Sequence, residues 1–374
     1  MTALQKLLRF FAPIYYLGQK ELLSMLKDPR MRLALVMPVL IQGLLFGYVA
    51  NYNLDSVPYA VVDASKSEAS CSLIAHFDGS PAFSRVAVLA VPSDIEALVD
   101  AESIRMAIVI PSDFERRLSR GEAAPIEIIT DGRNALVSTL ATGYAGAIVT
   151  RWNNERLGLR PAVSLTIRTW YNENQITRWT FLPSLIAMIS FVQVIMLSGL
   201  SVAKEREQGT FDQLLVTPLS VMEILIGKAL PPMLIGLMQS TLLLSLCLLW
   251  FEIPFSGSFA TLYLTLFLFI LSSTGIGLSI SAIARNMQQV LVYTFVLLLP
   301  LVLLSGIATP VANMPPPLRL LTHIDPLRFA VEAIRRIYLE GAVAADLIGD
   351  YIPLLCIAAV TLPFAMWLFR NKAM

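Results

Sequence analysis

A chain of 374 residues suggests about two or three domains, but 56% hydrophobic and 15% charged residues exclude a soluble globular protein. The net charge of +1, from 28 Lys and Arg against 27 Asp and Glu, leaves no broad basic surface of the kind nucleic acid requires. Cys71, Cys247 and Cys356 stand far apart, so neither metal-ligand spacing nor a disulfide framework is signalled. The composition is that of an integral membrane protein.

The N-terminal arm, Leu4 to Lys27, mixes Leu, Phe and Tyr with Lys, Arg and Gln at helical spacing. An interfacial amphipathic helix with its basic residues toward lipid headgroups fits it, and a helix packed on the protein itself is the alternative. Six apolar stretches then follow that can cross about 30 Å of hydrocarbon. They run Leu33 to Ala50, Thr180 to Val202, Met233 to Phe251, Phe259 to Ala284, Met287 to Ile307 and Ile352 to Phe369. The first is read as a retained anchor, because mostly amphipathic residues precede it and Tyr48-Val49-Ala50 puts a bulky residue where a cleavage site wants a small one. Gly43 and Gly47 in that span permit a close helix contact, within the chain or at a dimer seam.

Lys and Arg in the flanks set the expected orientation. Lys6, Arg9, Lys20, Lys27, Arg30, Arg32, Lys204, Arg206, Lys228, Arg285, Arg370 and Lys372 fall on one side of this topology. Arg319, Arg328, Arg335 and Arg336 fall on the other. Both termini are therefore expected in the cytoplasm, with the insertion from 51 to 178 facing outward.

That insertion changes character. Tyr59 to Asp63, Arg85 to Val91, Met106 to Ile110, Ile126 to Thr130 and Val163 to Trp170 read as short strands. Between them Ser65 with Glu68, Ser93 with Glu96 and Ser112 with Glu115 have the spacing of helix-starting capping boxes. A longer helix, Ala135 to Leu157, leads back toward the membrane, and the whole is a small α/β domain. The expected organisation is thus an amphipathic helix over 1–32, a first span over 33–50, an extracytoplasmic α/β domain over 51–178 and five more spans over 179–374.

None of the six predicted stretches contains Asp, Glu, Lys, Arg or His, which disfavours a proton- or ion-coupled carrier. Backbone carbonyls and hydroxyls can still hold Na⁺, so a gradient-driven secondary carrier of ions or drugs stays as the alternative reading. There is no His-Glu-x-x-His pair and no nucleophile elbow, and Gly227-Lys228 lacks the remainder of a phosphate-binding loop. No catalytic or metal-ligating residue is assigned, and energy for pumping would have to come from a separate subunit.

The connection after the second span, 203–220, is the place for such a subunit to dock. Lys204-Glu205-Arg206-Glu207-Gln208-Gly209-Thr210 alternates charges and then breaks at a glycine, and Thr217-Pro218 stops the short helix that follows. With Glu223 and Gly227-Lys228, this segment resembles the Glu-Arg-Glu-x-Gly-Thr … Thr-Pro … Glu … Gly-Lys signature of membrane subunits of type-2 ABC exporters. Lys20-Glu21-Leu22 with Lys27-Asp28-Pro29-Arg30 and Pro38 is similar to the entry into that family's first span. Gly275-x-Gly277 with Ser281 to Arg285, and Ser305-Gly306 through Pro310, Met314-Pro315, Pro326 and Arg335, resemble two further regions of it.

The resemblance implies a permease in a bacterial inner membrane, paired with itself or a related permease. It would carry cytosolic ATPase subunits that hold ATP and Mg, while this chain binds no cofactor. Lys204, Glu205, Arg206, Glu207, Gly209, Thr210, Thr217 and Pro218 would form the coupling helix, with Lys20, Glu21 and Arg30 in the connecting helix beside it. A periplasmic adaptor is a further possible partner for the insertion. The family's outer re-entrant gate falls on 309–341, including Pro326 and Arg335.

In that stretch Asp325 is an N-cap, Pro326 suits the first helical position and Gly341 a C′ position, and Arg328, Glu332 and Arg336 are spaced for i,i+4 pairs. A helix lying flat on the outer leaflet is the alternative. Gln193, Gln239, Ser273 and Thr274 are polar groups in spans and candidates for a substrate path, although such hydroxyls commonly bond their own backbone.

Overall fold

The computed structural model describes residues 3–49, 56–133, 135–158, 170–172, 176–211, 216 and 219–372; the side chains of residues 3–11, 30, 136 and 372 are not described. The chain divides into two compact units, Met1–Asn51 with Thr169–Met374, and Tyr52–Arg168.

In the first unit, α1 (Ala3–Lys27) runs to Lys27 and α2 (Pro29–Val49) begins two residues later. Within the insertion, β1 (Val57–Asp63), α3 (Glu68–Asp78), β2 (Phe83–Leu89), α4 (Asp94–Asp100), β3 (Met106–Ile110), α5 (Phe114–Ser119) and β4 (Glu127–Thr130) alternate, and α6 (Ala135–Arg156) follows. The sheet has the order β2-β1-β3-β4; β1 is parallel to both β2 and β3, and β4 closes antiparallel to β3. Strand β1 is central and buried on both faces. Val57, Tyr59 and Val61 pack with Phe77, Phe83 and Trp152, while Ala60 and Val62 pack with Ile95, Ile104 and Ala107 on the other side.

Four of the five expected strands form, and the fifth, 163–170, falls almost wholly outside the described residues. The helix starts are corrected by one or two residues. Ser67, not Ser65, caps α3, exchanging hydrogen bonds with Ser70 in place of Glu68. Ser65 is drawn away because its amide bonds the Asp63 carboxylate that ends β1. Ser93 stands at the start of α4 without capping it through its side chain, and α5 begins after Asp113, not at Ser112.

The remaining elements are long and apolar: α7 (Thr177–Glu207), α8 (Val221–Ser245, prolonged by a π-helical turn over Leu246–Trp250), α9 (Phe259–Ile283) and α10 (Met287–Leu304). Two short helices, α11 (Pro316–Leu321) and α12 (Pro326–Arg335, prolonged by a π-helical turn over Arg336–Glu340), precede α13 (Ile348–Lys372). Among the described residues, six helices are long and apolar enough to cross a membrane: Met31–Val49, Thr177–Glu207, Val221–Trp250, Phe259–Ile283, Met287–Leu304 and Ala344–Asn371. The third starts twelve residues before the predicted Met233, because Ser220 caps it: Ser220 Oγ accepts from Glu223 N while Glu223 Oε2 accepts from Ser220 N. Helical backbone bonds continue through Lys228, a residue that hydropathy assigns to a connection.

Helix α7 is the hub of this unit, with Phe191 stacked on Phe269 of α9 at 5.7 Å and Ser190 sharing a 2.6 Å hydrogen bond with Ser240 of α8. Close approaches depend on missing side chains. A Cβ on Gly277 would stand 2.7 Å from the Ile195 carbonyl, and one on Gly43 2.6 Å from Leu243, so Gly43 packs within the chain. Helix α1 packs along α8: Gly227 admits Leu17, and Ile14 is buried, while Tyr15 and Tyr16 remain exposed.

Candidate functional site

The predicted coupling segment begins where α7 ends. Gln208 closes the helix and Gly209 turns left-handed at φ +70°, a conformation only glycine takes cheaply, so that Thr210 N reaches back to Glu205 O at 2.9 Å. Thr217 and Pro218 lie outside the described residues. Of the four charges before the break, Glu205, Arg206 and Glu207 each reach a different helix, Glu207 from an exposed position.

Glu205 Oε1 lies 2.7 Å from Lys228 Nζ, and Glu21 Oε1 of α1 lies 3.3 Å from the same ammonium, which also donates to Ser201 O at 3.2 Å. The Lys228 side chain is 0% exposed. Burying a lone ammonium is prohibitive; two carboxylates and a carbonyl make it tolerable by supplying all three of its donors with acceptors. Three helices thereby meet at one cation.

Arg206 next to it spans the end of α9. Its Nη1 donates to Ala282 O at 3.0 Å and Ala284 O at 3.2 Å, carbonyls at a helix C-terminus that have no partner further along the helix. Its guanidinium also sits 4.8 Å from the Phe211 ring and 5.9 Å from that of Phe369 near the end of α13. Glu207 Oε2 accepts from Met287 N at 2.9 Å, placing an anion at the N-terminus of α10, beside the cap made by Asn286. One turn of α7 thus ties directly or through Lys228 to α1, α8, α9, α10 and α13. Lys204, Gln208 and Gly209 face out, as does Lys20 of α1; the Arg30 side chain is not described.

At the opposite ends of these helices, Asp325 caps α12 by accepting from Leu327 N at 2.9 Å, Pro326 takes the first helical position, and Gly341 closes the segment at φ +71°. Arg335 Nε donates to Ser184 Oγ of α7 at 2.6 Å and Nη1 to Gly306 O at 3.3 Å, so the segment is fastened to the second span. The expected Arg328–Glu332–Arg336 ladder is not made. Arg336 pairs with Glu340 at 3.6 Å and Asp350 of α13 at 3.4 Å, and Arg328 turns back to Thr322, because both find acceptors on neighbouring elements.

Among the substrate-path candidates, Ser273 and Thr274 are fully buried and bond Phe269 O and Ile270 O of their own helix. Gln239 Nε2 donates to Leu35 O of α2 at 2.8 Å, and Gln193 is half-buried on α7.

Helices long and apolar enough to cross a membrane six times among the described residues, in a unit interrupted by an α/β insertion, define a polytopic membrane protein. Comparison with known proteins places it further: the family model for ABC-2 family transporter proteins matches residues 30–367, and the chain belongs to that family of ABC transporter membrane subunits. It is 39% identical to the probable multidrug ABC transporter permease YbhR of Escherichia coli (strain K12), over 97% of this chain and 100% of that protein. It is 29% identical to the probable multidrug ABC transporter permease YbhS of the same organism over 91% and 92%, and 28% identical to the inner membrane transport permease YhhJ over 97% and 98%. The family implies an ATPase partner subunit.

Proposed function

We propose that this chain is the permease of an ATP-driven exporter in a bacterial inner membrane, working as a dimer with itself or a related permease. Both termini lie in the cytoplasm and the insertion lies outside, as the distribution of Lys and Arg favours. Hydrolysis of ATP with Mg takes place on the partner subunits. Those subunits press on the exposed crest of the elbow, Lys204 with Gln208 and Gly209, and on Thr210, Thr217 and Pro218 beyond it. Lys20, Glu21 and Arg30 of the N-terminal arm move with it.

The observation that carries this reading is the set of contacts made by Glu205, Arg206 and Glu207, which fastens one turn to five helices. A push on that turn is delivered to most of the bundle at once, as an allosteric coupling needs two sites biasing one element. Pro326 and Arg335 then act at the outer gate through Ser184 of the same helix α7. Gln193, Gln239, Ser273 and Thr274 contribute polar groups to a path that opens when the helices part. The apolar spans and the multidrug names of the relatives support an amphipathic or hydrophobic cargo moving outward, and a periplasmic adaptor would receive it at the insertion.

Co-purification with an ATPase subunit, followed by ATP turnover of the complex with Glu205→Ala, Glu207→Ala and Thr217→Ala, tests the proposal. Stable association with disturbed turnover is expected. Absence of any associated ATPase, together with transport abolished by a protonophore, would favour the gradient-driven carrier instead.

A further inference from the structure

We propose that the insertion carries a ligand site of its own, a two-lobed cleft centred on Trp152 that takes an amphipathic organic cation. Trp152 lies in the last turns of α6, 5% exposed, with Nε1 donating to Ser72 Oγ at 3.1 Å and its ring stacked on Phe114 at 6.1 Å. On one side of it opens a cavity of about 450 Å³, walled by Leu73, Phe114, Leu118, Ile126 and Val149. On the other is a cavity of about 410 Å³ bordered by Glu68, Ser72, His76, Glu115 and Glu155. Trp152 and Arg156 border both. Each lobe falls in the size range of small-molecule pockets, about 300–1,000 Å³, and together they pair an apolar floor with a few polar groups.

Charge selects the ligand. The two lobes present Glu68, Glu115, Glu122 and Glu155 against the guanidinium of Arg156, the imidazole of His76 and Arg151, which pairs with Glu155 at 2.8 Å, so four carboxylates still outnumber the cations and favour a cationic ligand over an anion. The internal pairing leaves room for exchange. Glu115 Oε1 is 4.0 Å from Arg156 Nη2, a loose pair, and Arg156 is 33% exposed. Its guanidinium rests 5.5 Å from the Trp152 ring, which marks that face as one already used by a cation. A ligand ammonium or phosphonium takes this place while its apolar body fills the Phe114 lobe, and Arg156 closes on Glu115. The proposal stands on the insertion alone and does not depend on ATP-coupled transport.

The test uses the full-length protein in detergent with tetraphenylphosphonium as probe and tetraphenylborate, its shape-matched anion, in equilibrium dialysis against protein-free micelles. Saturable binding of the cation is expected, weakened about tenfold or more by Trp152→Ala and by Ala124→Trp, and less by the Glu115→Gln, Glu155→Gln pair. Ala124→Trp fills the cavity and removes no packing, so it remains informative where Trp152→Ala loosens the fold. Cation binding that Ala124→Trp leaves unchanged would place the probe in the spans and overturn the proposal, and equally strong saturable binding of tetraphenylborate would overturn it as well.

Discussion

Lys228 and Glu21 stand 207 positions apart in sequence, and their side chains meet at 3.3 Å inside the protein, where the lysine has no exposed surface. Glu205 completes the cluster from a third helix. Replacing Lys228 by Met leaves two carboxylates facing one another in a buried site, and breaking a buried ion pair from one side costs about 3–5 kcal/mol. A fall in thermal midpoint of the purified protein is the expected outcome. Adding Glu21→Gln and Glu205→Gln to Lys228→Met should recover much of it, because no unpaired charge is then buried; a triple variant no better than the single one would show that the lysine acts by packing alone.

Arg206→Lys keeps the charge but loses the planar guanidinium, whose Nη1 donates to both Ala282 O and Ala284 O while its face lies over the Phe211 ring. A loss of about 1–2 kcal/mol is expected from the missing hydrogen bond and the weakened stacking on Phe211. In the assembled transporter this should appear as a several-fold drop in substrate-stimulated ATP turnover with assembly intact, and wild-type turnover would count against the clamp.

Glycines in two settings should respond in opposite ways. Gly277→Ala drives a methyl group into the Ile195 carbonyl and Ser198, and overpacking of this kind costs about 1–3 kcal/mol. Gly143 lies within α6 with nothing within 4 Å of an added Cβ, so Gly143→Ala should stabilise by about 0.5–1 kcal/mol through helix propensity. Thermal unfolding of the two variants in parallel checks both signs.

The insertion contains a pH-sensitive pair. His76 is held above its ordinary 6.5 chiefly by the hydrogen bond to Glu155, and Glu155 is held below its ordinary 4.5 chiefly by His76. A raised histidine stabilises the fold fully below its unfolded value, and that contribution disappears as pH rises through the folded one. A depressed carboxylate contributes above its unfolded value, and that contribution is lost as pH falls through the folded one. Both act together from about pH 4.5 to 6.5 and the histidine's part fades above that. In Glu155→Gln the His76 ring resonances should titrate at lower pH than in the wild type; an unchanged midpoint would remove Glu155 as the cause.

The number and order of the membrane helices were legible because each carries an unbroken apolar run, and four strands were legible from short β-branched segments. The glycine break at Gly209 and the Asp325–Pro326 helix start also follow from local chemistry, which is all they depend on. Lys228 did not follow. Its role depends on partners at Glu21 and Glu205 on other helices, and a lysine eight residues into α8 reads as a flank when judged by hydropathy. Alternation of sign along the elbow is the same whether a side chain meets a partner or a helix end of its own chain; only the positions of α9 and α10 decide it. The partner of Arg336 is hidden from the sequence for the same reason, since Asp350 competes for it from α13.

Among the described residues, the backbone beyond the π-helical turn Leu246–Trp250 meets the π-helical turn Arg336–Glu340: Ser256 N donates to Tyr338 O at 3.0 Å, and a Cβ on Gly341 would stand 3.0 Å from Ser256 O. A π turn is an α-helical turn holding one surplus residue. Deleting a single position inside either turn should therefore let the helix revert to ordinary pitch while its neighbours keep their register. Elsewhere in these helices the same deletion would rotate every later side chain by about 100°, moving buried faces into lipid. The turns are thus places where length can drift by one without the membrane core noticing, and homologous permeases would be expected to carry their gaps there.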